Sequence, residues 1–168
     1  MTLWYPTTEH CAAEIFPLIQ DRLSDREQSP FYERESRGVE ALRSTFEFVK
    51  SRRYRTFHVK AAYLVCSIVT GHGFSNGNKR LAVTILLAFL IYNKVKIRRA
   101  RAQTYKLWMA QHFPGYRWNE GVGLGDVHMT FLYHLALALA DRPTWKDQPF
   151  DRVRETIARF FESIYVRS

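Results

Sequence analysis

From Val39 the apolar residues Val39, Leu42, Phe46 and Val49 recur at helical spacing, with Glu40, Arg43, Glu47 and Lys50 on the opposite face. That pattern predicts a surface helix lying on a core. Two further segments, Phe57 to Val69 and Leu81 to Tyr92, are apolar nearly all round; only His58, Lys60 and Ser67 interrupt the first and Thr84 the second. Helices of that kind are expected at the centre of a domain. The polar stretch His72 to Arg80 separates them, so two buried helices should hold one polar loop between them, a setting suited to a functional site.

The flanking segments extend the all-α pattern. Ala12, Ile15, Phe16, Ile19 and Leu23 predict a helix over Glu9 to Leu23 that Pro17, lacking an amide proton, should start, kink or split. Ser29 to Gly38 is polar, has Pro and Gly near its ends, and reads as a loop or small hairpin. Val95 and Ile97 suggest a very short strand, and Ala100 to His112 another helix, broken by the glycine-rich stretch Pro114 to Gly125. Asp126 is a good N-cap for a helix running to about Asp141. Phe150, Val153, Ile157, Phe160 and Ile164 line one face of a final helix.

Composition sharpens this picture in three ways. A chain of 168 residues with 46% hydrophobic and 24% charged residues fits a single globular domain over 1–168. Its formal charge of +9 should attract polyanions or an acidic protein surface. Cys11 and Cys66 lie in apolar stretches without metal-binding spacing, which predicts buried free thiols and no zinc site. The N-terminal MTLWYPTTEH lacks the charged start and apolar run of a secretion signal, so a cytoplasmic protein is expected. The longest apolar run, Leu81 to Tyr92, is short of the roughly 20 residues that cross a bilayer.

Chemistry concentrates in HGFSNGNKR, His72 to Arg80. If Lys79 and Arg80 begin the buried helix, the amides of Gly77, Asn78 and Lys79 point out of a helix N-terminus, where free N–H groups and the helix dipole favour an anion. Gly77 permits a tight turn and lets a phosphate approach the backbone. Arg80 can fork two hydrogen bonds onto phosphate oxygens, and Lys79 adds a mobile positive charge. At the other end of the loop His72 offers an imidazole, the side chain best suited to accept a proton near neutrality. Phe74 reads as an anchor into the core. A base, an anion nest and two cations within one loop describe phosphoryl or nucleotidyl transfer.

At these residues the sequence resembles the Fic/Doc family, whose motif is close to HxFx(D/E)(G/A)N(G/K)R. His72, Phe74, Gly77, Asn78, Lys79 and Arg80 match, and Asn76 departs. A weaker similarity runs back through AAYLVCSIVTG and the Ser29 to Gly38 segment and forward to about Ile97, leaving the residues from about 100 as a helical C-terminal extension. The resemblance implies an all-helical fold with a small flap before the motif, ATP as donor and a protein hydroxyl as acceptor. It gives His72 the role of general base, Gly77 and Asn78 that of anion hole, Arg80 that of phosphate clamp, and Phe74 a structural role. The family includes AMP-transferring enzymes and Doc-type toxins that phosphorylate a threonine of a translation elongation factor. Lys79 replaces the glycine usual in the former, and Val83 stands where they usually carry a second arginine, so the likeness leans to the Doc type. No match to the family's inhibitory (S/T)xxxE(G/N) pattern occurs, which implies a separate antitoxin as partner.

Asn76 stands where the family's carboxylate helps hold magnesium, and a neutral amide is a poorer ligand for that hard cation. Magnesium held mainly by the phosphates, a slow, inactive or silenced family member, or deamidation of the Asn76–Gly77 pair to aspartate would each account for it. A pseudoenzyme that binds a partner without chemistry is the reading from another functional class. Elsewhere, the glycines Gly121 to Gly125 lack the preceding strand of a nucleotide cradle and read as a loop. His128 and His134 lack the spacing of a helical metal pair. The basic clusters Arg52 to Arg55 and Lys94 to Lys106 read as solvated faces, or as sites for an acidic protein; no nucleic-acid motif accompanies them.

Overall fold

Pro17 shapes the start of the fold in a computed structural model that describes residues 2–22 and 30–167. Leu23 and Ser29 lie outside the described residues. Because the proline nitrogen carries no proton, the turn before it cannot close in the usual way. The chain passes from α1 (Thr8–His10) through a wide π-helical stretch (Cys11–Ile15) into α2 (Phe16–Arg22), with Phe16 N–H donating to Cys11 O. Local widening, with the helix continuing, is how the proline is accommodated.

Residues 30–35 contain no strand, only a 3-10 turn at Tyr32–Arg34. Helix α3 (Ser36–Lys50) then starts early enough that Gly38, expected in the loop, is helical. As the periodicity requires, α3 buries Leu42, Phe46 and Val49, while Glu40 pairs with Arg43 at 2.6 Å and Glu47 with Lys50 at 2.7 Å on its outer face.

Helices α4 (Phe57–Gly71) and α5 (Asn78–Tyr92) are buried on most sides and pack against each other. Lys60, which interrupts the apolar run of α4, is itself only 5% exposed. Its Nζ donates to Val49 O at 2.5 Å and Ser51 O at 3.3 Å, so the ammonium closes the C-terminal end of α3, where carbonyls lack helical partners.

Beyond α5 come β1 (Val95–Ile97), α6 (Ala102–His112), α7 (Val127–Ala140), α8 (Phe150–Ile164) and β2 (Tyr165–Arg167). Asp126 caps α7, accepting from His128 N–H at 2.9 Å and Met129 N–H at 3.0 Å. Helix α8 lies along α4, which also touches α3 and α7 and is thus the central helix. Phe161 is the fully buried aromatic of α8; Phe160 is half-buried and stacks on Trp108 at 4.4 Å. Strand β2, which no pattern predicts, pairs antiparallel with β1, Lys96 opposite Val166. Cys11 and Cys66 are buried and unbridged, and burial pushes both thiols up to about 12. Among the described residues no helix is long and apolar enough to cross a membrane.

Two buried histidines tie α7 to its neighbours. His134 stacks on Trp118 at 3.7 Å and its Nδ1 meets the Tyr116 hydroxyl. His128 sits between the Tyr105 hydroxyl, 3.1 Å from Nδ1, and the Tyr165 hydroxyl, 3.0 Å from Nε2. A neutral imidazole has one donor and one acceptor, so one tyrosine donates and the other accepts. Burial lowers the His128 pKa to about 4, with Arg99 adding and Asp126 opposing. A folded-state value below the unfolded one means that this stability is present above about pH 6.5 and is lost as the pH falls toward about 4.

Between pH 7 and pH 4.5, approximately the window just given, urea unfolding should show a larger loss of stability for the parent chain than for His128→Gln. Lys60→Met, which strips the Val49 carbonyl of the ammonium and leaves Ser51 O with only the Tyr54 amide, should cost about 1–3 kcal/mol in the same assay. Lys50→Met, which breaks an exposed pair, should cost under about 1 kcal/mol.

Candidate functional site

Helix α4 ends at Gly71, and the next residue, His72, turns the chain with a left-handed backbone (φ 43°, ψ 44°). A side chain in that conformation costs roughly 1–2 kcal/mol, so the surrounding loop must hold it. The Asn78 side chain does much of this: Oδ1 accepts from Phe74 N–H at 3.1 Å and Nδ2 donates to Phe74 O at 2.7 Å. Phe74 is buried, edge-on to Tyr32 at 5.0 Å and to Phe16 at 6.1 Å.

Two glycines make room for these rings. A Cβ on Gly38 would stand 2.4 Å from Cδ1 of Phe74, and one on Gly77 would stand 2.3 Å from the Tyr32 hydroxyl. Gly77 also has φ +74°, a backbone that side chains rarely adopt. The Tyr32 hydroxyl donates to Gly77 O at 3.2 Å, and Leu81 N–H donates to the same carbonyl at 3.0 Å, so the turn and the first turn of α5 share one acceptor. Burial pushes the Tyr32 phenol up to about 12, Arg80 opposing and Glu35 adding, which keeps it a proton donor. Glu35 grips the loop from the other side: Ser75 N–H donates to Oε2 at 2.7 Å and Ser75 Oγ to Oε1 at 2.5 Å.

Gly77 is the N-cap of α5, and Asn78, Lys79 and Arg80 form its first turn, which contains no acidic residue. Amides at these positions lack partners within the helix and lie at the positive end of its dipole. The Asn78 side chain is occupied by Phe74, which leaves its backbone amide as the group available to an anion. Gly77 N–H donates to Asn76 Oδ1 at 2.7 Å, so this amide, expected to face an anion, is engaged by its neighbour. Lys79 and Arg80 are partly exposed, His72 is exposed, and the loop's floor, Phe74 and Gly77, is buried. The arrangement fits the phosphate end of a nucleotide, with an imidazole across the loop from the anion-favouring helix end.

The fit to magnesium is poor. Asn76 Oδ1 already accepts the Gly77 amide, and the described residues contain no group of three or more His, Cys, Asp or Glu able to hold a metal ion. A cleft of about 780 Å³ near His112, Asp151, Arg152 and Arg159 shares no residue with the loop. His128 and His134 are core histidines in hydrogen-bonded contact with tyrosines. Tyr32, Glu35 and Gly38 are absent from the sequence reading of the site; their segment shows only polarity, and their roles arise where α3 and the 3-10 turn meet the loop.

Residues 13–90 match the family model described as the Fic/DOC family. The match spans a little under half of the chain, which thus contains a segment similar to a Fic/DOC family domain. This segment takes in Tyr32, Glu35, Gly38 and the whole of the loop, and stops within α5, so α6 to α8 lie beyond the match. Fic/DOC family members generally transfer nucleotide-derived groups to proteins, so the match supports a Fic-type enzyme at the level of the family. Comparison with curated proteins and with solved structures gives no match.

Gly77→Ala should lower the melting temperature of the full chain, because it brings both the clash with Tyr32 and the strain of a positive φ. Combining it with Tyr32→Phe removes the closest clash but leaves the strain, so the melting temperature should return only in part. Glu35→Ala should speed hydrogen exchange of the Ser75 amide by more than about tenfold, the effect of losing roughly 1.4 kcal/mol of local protection.

Proposed function

We propose that this chain transfers the terminal phosphate of ATP to a Ser or Thr hydroxyl of a cytosolic protein, in the manner of a Doc-type toxin. One observation carries the reading: His72 and the N-terminus of α5 flank a single, tightly braced loop. In the proposed step the substrate hydroxyl attacks the γ-phosphorus while His72 takes its proton. A new P–O bond forms, the bond to the β,γ-bridging oxygen breaks, and ADP leaves with that electron pair. The amides of Asn78 to Arg80 and the side chains of Lys79 and Arg80 hold the phosphate chain. Magnesium enters this scheme as a companion of the nucleotide, held mainly by its phosphates.

The preference for phosphate over AMP transfer rests on Lys79 and Val83. Lys79 adds charge and bulk beside the phosphate chain. Val83, one turn further along α5, is 5% exposed and packed into the core, so this position supplies no second cation to the loop. A translation elongation factor as substrate and a separate antitoxin as restraint complete the proposal.

ATP labelled at the γ or the α phosphate separates the readings when incubated with cell extract. Label reaching protein from γ alone supports phosphorylation; label from α would replace it with AMP transfer; none from either would leave a pseudoenzyme. His72→Ala should remove the label by a factor of about 10² or more while ATP still binds. Asn76→Asp should raise transfer; equal rates in both proteins across a magnesium titration would contradict the cost assigned to the neutral amide.

A further inference from the structure

Between Glu47 and Glu120 the chain carries fourteen Lys and Arg and no Asp or Glu. The loop uses two of these cations. A second group gathers at the opposite end of α4 and α5, on and just after β1, where Lys94, Lys96, Arg98, Arg99 and Arg101 are all exposed. Lys96, Arg98 and Arg101 make no ion pair among the described residues, whereas Arg99 pairs with Asp126 at 3.5 Å. Asp126 is also the cap of α7, and Glu162 is exposed on the last turn of α8.

The backbone of β1 is open on one side. Arg98 N–H donates to Ile164 O at 2.7 Å, and the antiparallel register sets Lys96 opposite Val166. In such a ladder alternate residues face the partner, so Lys96 and Arg98 point their peptide groups at β2 while Val95 and Ile97 turn theirs outward. No other hydrogen bond to the Val95 or Ile97 backbone occurs among the described residues. The far side of β2 is different, because the His58 ring is 3.0 Å from Tyr165 O there.

Side chains alternate with the same period. Val95 and Ile97 lean on the core, and Lys96 and Arg98 face solvent roughly 6.7 Å apart. Cations on an exposed edge keep it from pairing with a second copy of itself, since like charges directly opposite destabilise a strand pair. An acidic strand meets no such penalty.

We infer that the open edge of β1 is a docking site for an extended acidic segment of another polypeptide, which adds as a third strand with its carboxylates opposite Lys96 and Arg98. Edge addition draws affinity from main-chain hydrogen bonds and selectivity from alternate side chains. This surface acts independently of the loop chemistry.

The probe is a short peptide alternating Glu with Thr, titrated into the full chain, with hydrogen exchange read residue by residue. Saturable binding that slows exchange of the Val95 and Ile97 amides, leaves Lys96 unchanged and weakens with salt supports the site. Lys96→Glu combined with Arg98→Glu changes only exposed side chains and should weaken binding about tenfold or more without altering the melting temperature. Three results would overturn the inference: no binding, binding without protection of those two amides, or tighter binding of an oligo-dT strand, which would make the surface a nucleic-acid site.

Discussion

Everything the loop can do depends on how closely Tyr32 approaches Gly77. The phenol reaches the Gly77 carbonyl only because that residue has no side chain, and the carbonyl it meets also receives the first helical hydrogen bond of α5. Phe74 fills the space beneath, over a second glycine, Gly38, on α3. A single hydrogen bond of this kind is worth only about 1 kcal/mol. Its larger effect is geometric, since the start of α5 cannot shift without breaking the turn and expelling a ring from the core.

The rest of the molecule makes that turn rigid. Helix α4 has no polar face, so it must be surrounded, and α3, α5, α7 and α8 surround it. Lys60 satisfies the end of α3, and Asn93 ties the other end of α5 to the N-terminal segment, bonding both Trp4 N–H and Trp4 O at 3.0 Å. With both helices held, strain at His72 and the positive φ of Gly77 persist in the loop between them. The pair also separates two cationic regions by the length of α4, about 22 Å for fifteen residues. One accompanies a helix end and suits phosphate; the other follows a strand.

Features that depend on neighbours in sequence were legible in advance. The apolar stripe of α3, the Asp126 cap and the two enclosed helices around HGFSNGNKR follow from period and local chemistry, and the loop motif pointed to the Fic/DOC family domain. Features that depend on distant partners were not. Strand β2 has no alternating pattern and exists because Val95 to Ile97 lie alongside it. Phe160 and Phe161 are adjacent, and only the position of α4 decides which is buried. Tyr32 and Glu35 sit in a segment that reads as a polar loop, and neither residue signals a contact some 40 positions away. Pro17 announced a disturbance but not its form, because widening into a π turn and splitting satisfy the same missing proton.

The N-terminus of α5 is proposed to receive the phosphates of a nucleotide. Amide chemical shifts recorded while ATP is titrated into the full chain test it most directly. Asn78, Lys79 and Arg80 should show the largest changes, saturate together, and lose them in Arg80→Ala. Largest changes around His112 and Arg159, in the cleft beside α8, with the α5 amides unmoved, would contradict it.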